Sequence, residues 1–558
     1  MTGMTGAEAM VRMLQLHGVK HIFGLCGDTS LPFYDALARL DHGMRHVLTR
    51  DERSAAYMAD GYARVSGRVG VCEGPSGGGA TYLLPGLVEA NESSIPVLGI
   101  TTDIATTSRG RYALTELDQK SLYRPLTKWN DVIERADKLP EAVRHAFRAM
   151  TSGKPGAAHL CLPFDVQNGI VPQGDVWAEA SLGSYPSART APDAELIRKA
   201  AARLSAAKLP IFICGGGVVI AGAQAELAAV ATTLGAPVAT TVSGQGSLAE
   251  DHPLCLGVVG SNGGTPPTRE ALAKADLVVF VGCRAGSVTT ERWRTPAQGT
   301  PVIHIDADPM VPGANYRTEV ALIGDAKLAL QSLLSELKPG GTGEGAKIVT
   351  AAKDRKFSEF RALAAKNDVP ILPERIVATL HEILPRDAVV VCDPGTPCPY
   401  FSAYYEFLEA GRHFISNRAH GALGYSMSAA AGAHFGRPGA KVVAVMGDGS
   451  FGFTAGELET LLRLRIPVMM VVISNASYGW IKAGQKTGFG GRYYSVDFSR
   501  TDHARVAEAF GVKAWRVERP EELKPAFIAA AEHGGPALVD VITQPLQDAK
   551  APVSEWVA

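Results

Sequence analysis

The stretch from Lys441 to Asn475 constrains this chain more than any other. An apolar run, Val442-Val443-Ala444-Val445-Met446, ends in Gly447-Asp448-Gly449-Ser450, and a second run from Val468 to Ile473 ends in Ser474-Asn475. Short unbroken apolar runs bounded by turn residues suit strands buried on both faces of a parallel sheet. Two such strands deliver Asp448 and Asn475 to one sheet edge. A carboxylate and an amide oxygen are hard ligands, able to hold an octahedral Mg²⁺ that keeps a water and takes phosphate oxygens. Gly447 and Gly449 let backbone N–H groups approach those phosphates, and a helix from Thr454 to Arg465 is expected just behind them. Asp-Gly is also a common turn. A turn alone does not account for the strand before, the helix after and the second strand ending in Asn475, so the stretch reads as a diphosphate–Mg²⁺ site.

The rest of the 558 residues is organised around similar units. From Gly18 to about Val166, strand candidates His21-Ile22-Phe23, Arg45 to Leu48, Gly70-Val71-Cys72, Val97 to Thr101 and Ala158 to Leu162 alternate with helical stretches. That alternation implies a parallel sheet covered on both faces. A polar, Pro- and Ser-containing stretch from about Gln167 to Pro192 reads as a first linker. A second unit follows: helix Ala194 to Ala207, strand Pro210 to Cys214, then Gly215-Gly216-Gly217, with strands Val278 to Val281 and Val302 to Ile305. Its glycines lack the G-x-G-x-x-G spacing of a dinucleotide fingerprint, and a tight strand-to-helix turn explains them as well as a ligand contact does. Lys338 to about Lys347 reads as a second, mobile linker. The third unit, from about Pro370 to Gln547, carries strand Val389 to Cys392, the Mg²⁺ site and a late strand Ala537 to Ile542. The expected fold is therefore α/β, with three successive doubly wound parallel-sheet domains at 1–166, 191–337 and 370–548.

Charge and cysteine usage exclude several classes. With 55 basic and 56 acidic residues the net charge is −1, so no global field draws nucleic acid or anionic membrane. No basic segment followed by an apolar core opens the chain, and no apolar run reaches membrane-spanning length, so a cytoplasmic protein is expected. The eight cysteines include no C-x-x-C pair and read as reduced core thiols.

A family resemblance enters with Leu48-Thr49-Arg50-Asp51-Glu52-Arg53-Ser54-Ala55-Ala56-Tyr57-Met58-Ala59-Asp60-Gly61-Tyr62-Ala63-Arg64, together with Thr127-Lys128-Trp129-Asn130, Gly153-Lys154-Pro155-Gly156, His304-Ile305-Asp306-Ala307-Asp308-Pro309 and Ser450-Phe451. The whole chain resembles thiamine diphosphate (ThDP) enzymes of the acetolactate synthase, benzaldehyde lyase and 2-hydroxyacyl-CoA lyase branch. The resemblance implies that Glu52 hydrogen-bonds N1′ of the cofactor, a role suited to a carboxyl in an apolar cleft; a helix-opening acid favoured by the dipole is the alternative. It further implies that Gly395, Thr396, Gly447, Gly449 and Ser450 contact the diphosphate. Gly421 and Leu423 would belong to the loop that props the two cofactor rings, and the Ser477 carbonyl would complete the metal shell of Asp448 and Asn475.

The chain departs from that pattern in places. Asp51 stands where relatives often carry His, Leu423 where Met is more usual, and Thr115 where acetolactate synthases have a Gln that handles the intermediate. Gly484 aligns with their acceptor-sorting Trp, and Thr29 lies near a His of benzaldehyde lyases. Asp28, Thr29, Thr115 and Trp480 either face the substrate or pack the interior. Relatives hold a non-redox FAD, or ADP in the coenzyme-A lyases, on a middle-domain surface that Gly215 to Gly217, Gly282-Cys283-Arg284 and Asp306 match in part. The implied activity is a carboligase or decarboxylase acting on 2-keto acids, with acyloin or 2-hydroxyacyl-CoA cleavage as the alternative and a catalytically silent subunit as a third reading. The assembly implied is a homodimer or homotetramer with the cofactor at a subunit interface.

Overall fold

The computed structural model describes residues 3–340 and 343–556. Its backbone builds three six-stranded sheets, all parallel within themselves, and one short antiparallel pair. In the first sheet the strand order is Arg45–Leu48, His21–Gly24, Gly70–Gly74, Val97–Asp103, Ala158–Pro163, Trp129–Val132. In the second it is Cys255–Val258, Val238–Thr240, Pro210–Cys214, Leu277–Val281, Val302–Asp306, Val320–Ile323. In the third it is Phe414–Ser416, Val389–Cys392, Val442–Gly447, Met469–Ser474, Ala537–Ile542, Lys513–Val517. Helices alternate with these strands, so the α/β doubly wound reading holds in all three.

In each sheet the chain starts near the middle, builds one edge, then returns to build the other. The reversal leaves a crevice at the carboxyl ends of the two strands that flank it, which is where ligands bind in such sheets. For the first sheet those strands are His21–Gly24 and Gly70–Gly74, for the second Pro210–Cys214 and Leu277–Val281, for the third Val389–Cys392 and Val442–Gly447.

Two compact units contain these sheets. The first comprises residues 1–188, 419–439 and 454–466, and so includes the helices Ser426–Gly436 and Glu457–Leu464 along with the first sheet. Helix Glu52–Ser66 packs closely on Ser426–Gly436: a Cβ on Gly61 would fall 2.2 Å from the Ala429 carbonyl, and one on Gly432 would fall 1.9 Å from that of Met58. Only glycine admits so close an approach. The second unit comprises 189–418, 440–453 and 467–558 and holds the other two sheets around separate apolar cores.

Several expectations are corrected. The stretch from Gln167 to Pro192 is not a simple linker: Ile170–Pro172 pairs antiparallel with Gly3–Thr5, and Leu182 is buried, so this polar segment is anchored on the first unit. The second linker is shorter than expected, because the helix Glu344–Ala364 begins inside it and Gly345 packs against the Gly235 carbonyl. Gly341 and Thr342, in its middle, lie outside the described residues, as do Met1 and Thr2. The helix after Gly-Asp-Gly starts at Asp448 itself and runs to Thr454, with a second helix at Glu457–Leu464 rather than one helix from Thr454. All eight cysteines are free, seven buried and Cys26 exposed. Among the described residues no helix is long and apolar enough to cross a membrane.

Candidate active site

One cluster of candidate residues lies in the first unit. Strand Arg45–Leu48 ends, Asp51 caps the next helix by accepting the Arg53 N–H at 2.8 Å, and Glu52 is the first helical residue. Glu52 is 7% exposed, and burial raises its carboxyl above the ordinary range, the negative charges of Asp51 and Glu73 adding to the effect. The side chain lies against the glycine segment after strand Gly70–Gly74: a Cβ on Gly74 would come within 3.2 Å of Glu52 Cγ, and one on Gly79 within 3.0 Å of Oε1. These glycines keep one side of the carboxyl clear of side chains.

Beside it runs a chain of hydroxyls at the sheet reversal. Thr29 Oγ1 accepts the Ser76 N–H at 3.1 Å and bonds the hydroxyls of Ser76 (3.1 Å) and Thr102 (2.8 Å); Ser76 Oγ lies 2.7 Å from Thr115 Oγ1. Thr115 is held at φ +69°, a left-handed conformation that costs a β-branched residue on the order of 1–3 kcal/mol and tends to mark functional loops. The structure thus joins Thr29 to Thr115 through Ser76, a residue the sequence reading did not single out although it lies in the glycine segment. Asp28 is exposed, its carboxylate accepting the Thr29 N–H at 2.8 Å.

Gly421 and Leu423 lie on the loop before helix Ser426–Gly436. Tyr425 packs on Tyr57 at 5.2 Å, Gly61 meets Ala429, and Gly436 packs on Tyr62 and Val65, so this helix crosses Glu52–Ser66 at close range. Buried Glu89, paired with Arg64 at 3.1 Å, accepts the His420 N–H at 2.7 Å and fixes the loop.

A second cluster lies in the second unit. Gly447 and Ile473 are register partners, so Asp448 and Asn475 emerge side by side. The Asp448 carboxylate accepts backbone N–H groups of Gly449 (2.9 Å), Asn475 (2.8 Å) and Ala476 (2.6 Å). Burial nonetheless keeps its pKa above the usual range, the N–H groups pulling the other way. Asn475 Oδ1 accepts from the N–H (3.2 Å) and hydroxyl (3.0 Å) of Ser477, while the Ser477 carbonyl accepts the Gly479 N–H at 2.9 Å. Thr396 Oγ1 and Asn475 Nδ2 both lie close to Gly479, at 3.1 and 3.3 Å from its Cβ position. Positions for a Cβ on Gly395 and Gly447 open into empty space, whereas one on Gly449 would strike the Tyr478 ring. Ser450 is buried at the start of its helix. Trp480 packs on the core and on Trp556, ring centroids 5.0 Å apart, and Gly484 is buried on the same helix, Gly479–Gly488.

These residues fit a diphosphate bound through a hard cation. Oxygen donors converge at one sheet edge, a buried carboxylate there favours a compensating cation, and open glycine faces leave room for phosphates. The site is not a cluster of ionisable ligands: among the described residues no three His, Cys, Asp or Glu gather as a metal shell. In the middle sheet the crevice is differently furnished. A Cβ on Gly215 would fall 2.1 Å from the Gly282 carbonyl and one on Gly217 2.6 Å from Gly282 Cα, so these glycines serve the packing of two turns against each other.

Three family models match the chain. Models of the thiamine pyrophosphate enzyme N-terminal TPP binding domain, central domain and C-terminal TPP binding domain match residues 4–122, 197–333 and 393–541. The chain belongs to the thiamine pyrophosphate enzymes. Within the family it is similar to a probable acetolactate synthase large subunit of Methanocaldococcus jannaschii, 35% identical over 98% of this chain and 93% of that protein. An acetolactate synthase of Mycobacterium bovis is 33% identical over 97% and 88%, and the acetolactate synthase isozyme 3 large subunit of Escherichia coli K12 is 32% identical over 95% and 92%. The protein is a ThDP-dependent carboligase-type enzyme of the acetolactate synthase branch.

Proposed function

We propose that this enzyme is a Mg²⁺- and ThDP-dependent decarboxylase and carboligase of 2-keto acids that joins the retained acyl fragment to a second carbonyl compound. The observation that carries the reading is the buried Glu52 carboxyl, raised in pKa and open on its glycine side, in a chain alike over nearly its whole length to acetolactate synthases. ThDP, when bound, supplies the carbon nucleophile and the electron sink. Glu52 holds a proton toward N1′ of the cofactor ring. Asp448, Asn475 and the Ser477 carbonyl hold Mg²⁺, and Gly395, Thr396, Gly447, Gly449 and Ser450 seat the diphosphate. Leu423 supports the rings.

Thr29, Ser76 and Thr115 offer hydroxyls to substrate oxygens, and Thr115 occupies the place of the acetolactate synthase Gln. That replacement favours a second reading, cleavage and formation of acyloins or 2-hydroxyacyl-CoA compounds. Trp480, packed on Trp556, is assigned to support of its helix, Gly484 leaves no aromatic wall, and Asp28 stands at the solvent edge. The domains are proposed at 1–166, 191–337 and 370–548, in a cytoplasmic homodimer or homotetramer with the cofactor at a subunit interface and small molecules as the other partners. FAD takes no part in these steps, and visible absorbance of the purified enzyme decides whether it is carried.

The deciding experiment is turnover of the reconstituted enzyme on pyruvate, 2-ketobutyrate, glyoxylate, benzoin and a 2-hydroxyacyl-CoA, with products identified. Acetohydroxy acid from pyruvate supports the first reading; cleavage of benzoin or the acyl-CoA without it replaces that reading with the second.

A further inference from the structure

Behind Glu52 lies a buried acid to which the reaction as described gives no task. Glu73 is in the central strand Gly70–Gly74, 1% exposed and in register with Gly24. Its Oε1 accepts the hydroxyl proton of Tyr34, and His46 Nε2 stands 3.3 Å from the same oxygen and 3.0 Å from the Tyr34 hydroxyl. The three side chains come from three elements: helix Leu31–Arg39, strand Arg45–Leu48 and the central strand. A strand buried on both faces ordinarily carries apolar side chains, and a carboxylate is kept there only with partners. Here the partners form a path outward, since the His46 side chain is 20% exposed.

The acid also adjoins the site. Glu73 directly precedes Gly74, against which Glu52 Cγ packs. The titratable and charged groups around the pair are Tyr34 from the helix, His46 from the edge strand, Cys72 beside Glu73 on its own strand, Cys26 from the loop after His21–Gly24, and Asp51 and Arg53 flanking Glu52. Of these, His46 alone can bring positive charge directly onto Glu73.

We propose that Glu73, anchored by Tyr34 and His46, is a positioning residue that acts through Glu52: its negative charge keeps the proton on Glu52, so that the group facing the cofactor stays protonated to higher pH. Like charges in a shared low-dielectric site favour the neutral form of one of them. Burial raises the Glu73 carboxyl above the usual range, and the bonds from His46 and Tyr34 oppose that rise, so a charge on Glu73 depends on these two partners. The inference rests on the reading of Glu52 as the group that shares its proton with N1′.

The test is an infrared difference titration of apoenzyme carrying ¹³C-labelled glutamate, the Glu52 band being identified by its loss in Glu52→Gln. In Glu73→Gln the Glu52 midpoint should fall by about one pH unit, the order of effect of a neighbouring charge. Tyr34→Phe and His46→Gln should move it the same way, because each withdraws stabilisation from the Glu73 charge. Tyr34→Phe, which keeps the buried ring, carries the test if Glu73→Gln does not fold. In the ThDP-loaded enzyme the pH profile of kcat/KM should shift in parallel. A Glu52 midpoint that stays or rises in a folded Glu73→Gln variant overturns the coupling. A midpoint that falls, in a protein whose Glu52→Gln variant activates ThDP at the wild-type rate, supports the coupling and overturns the functional reading of Glu52 instead.

Discussion

The Glu73 carboxylate fills the space that a side chain at Gly24 would need: a Cβ on Gly24 would lie 2.1 Å from Glu73 Oε1 and 2.5 Å from its Cδ. Gly24 has no unusual backbone angle to explain it, so the glycine is required by its register partner. Gly24→Ala should therefore destabilise the protein by about 1–3 kcal/mol, the range for an overpacked core. In a Glu73→Ala background the clash is gone, and a double-mutant cycle on urea unfolding should give a coupling of about 0.5–3 kcal/mol. Additive effects would mean that the two residues do not compete for this space.

If Asp448 holds Mg²⁺ as proposed, metal-dependent binding of ThDP should respond to pH. The Asp448 pKa lies above the ordinary carboxylate range because the group is buried. A proton and Mg²⁺ compete for the same oxygens, so affinity is full above that raised pKa and falls as pH drops through it, by about tenfold per unit below. Calorimetry of ThDP with Mg²⁺ across a pH series checks this. Asp448→Ala should abolish the binding and its pH dependence while leaving the far-ultraviolet circular dichroism unchanged.

Much of this architecture was legible in the sequence, because strands buried on both faces must be written as short apolar runs. Arg45–Leu48, Pro210–Cys214, Val389–Cys392 and Ala537–Ile542 match their expected bounds. The unexpected strands have a physical reason too. Trp129–Val132 and Lys513–Val517 are edge strands, partly solvated and mixed in polarity, and Ile170–Pro172 is a three-residue strand recruited by Gly3–Thr5. Asp448 and Asn475 were readable because each ends an apolar run. Ser76 was hidden in a segment that draws attention to its glycines. Glu73 left one signal, a charged residue amid Gly70-Val71-Cys72, where an unpaired carboxylate cannot stay; its partners Tyr34 and His46 lie at separations no local pattern reveals.

If the cofactor lies between subunits, Glu52 of one chain and Asp448 of another serve one site. Mixing inactive Glu52→Gln with inactive Asp448→Ala under subunit exchange should then restore part of the activity, since one class of hybrid site holds both native residues. Absence of recovery, with exchange verified by native mass spectrometry, would place both residues of each site in a single chain.

Acceptor choice should be weak. With Gly484 buried in its helix and no aromatic wall at that position, the pocket separates pyruvate from 2-ketobutyrate by one methylene, a difference that supports ~10–200-fold at most and here should fall at the lower end. Product ratios from equimolar mixtures of the two acceptors measure it. A strong preference for 2-ketobutyrate would show that another residue builds the wall.

Glu52 is central to the proposed chemistry, and deuterium exchange at C2 of enzyme-bound ThDP tests its role most directly. Glu52→Gln should bind ThDP and Mg²⁺ with wild-type affinity and exchange the C2 proton ~10²–10⁴-fold more slowly, the scale of a general acid–base contribution. Exchange at the wild-type rate in that variant would contradict the assignment of Glu52 to the cofactor's proton.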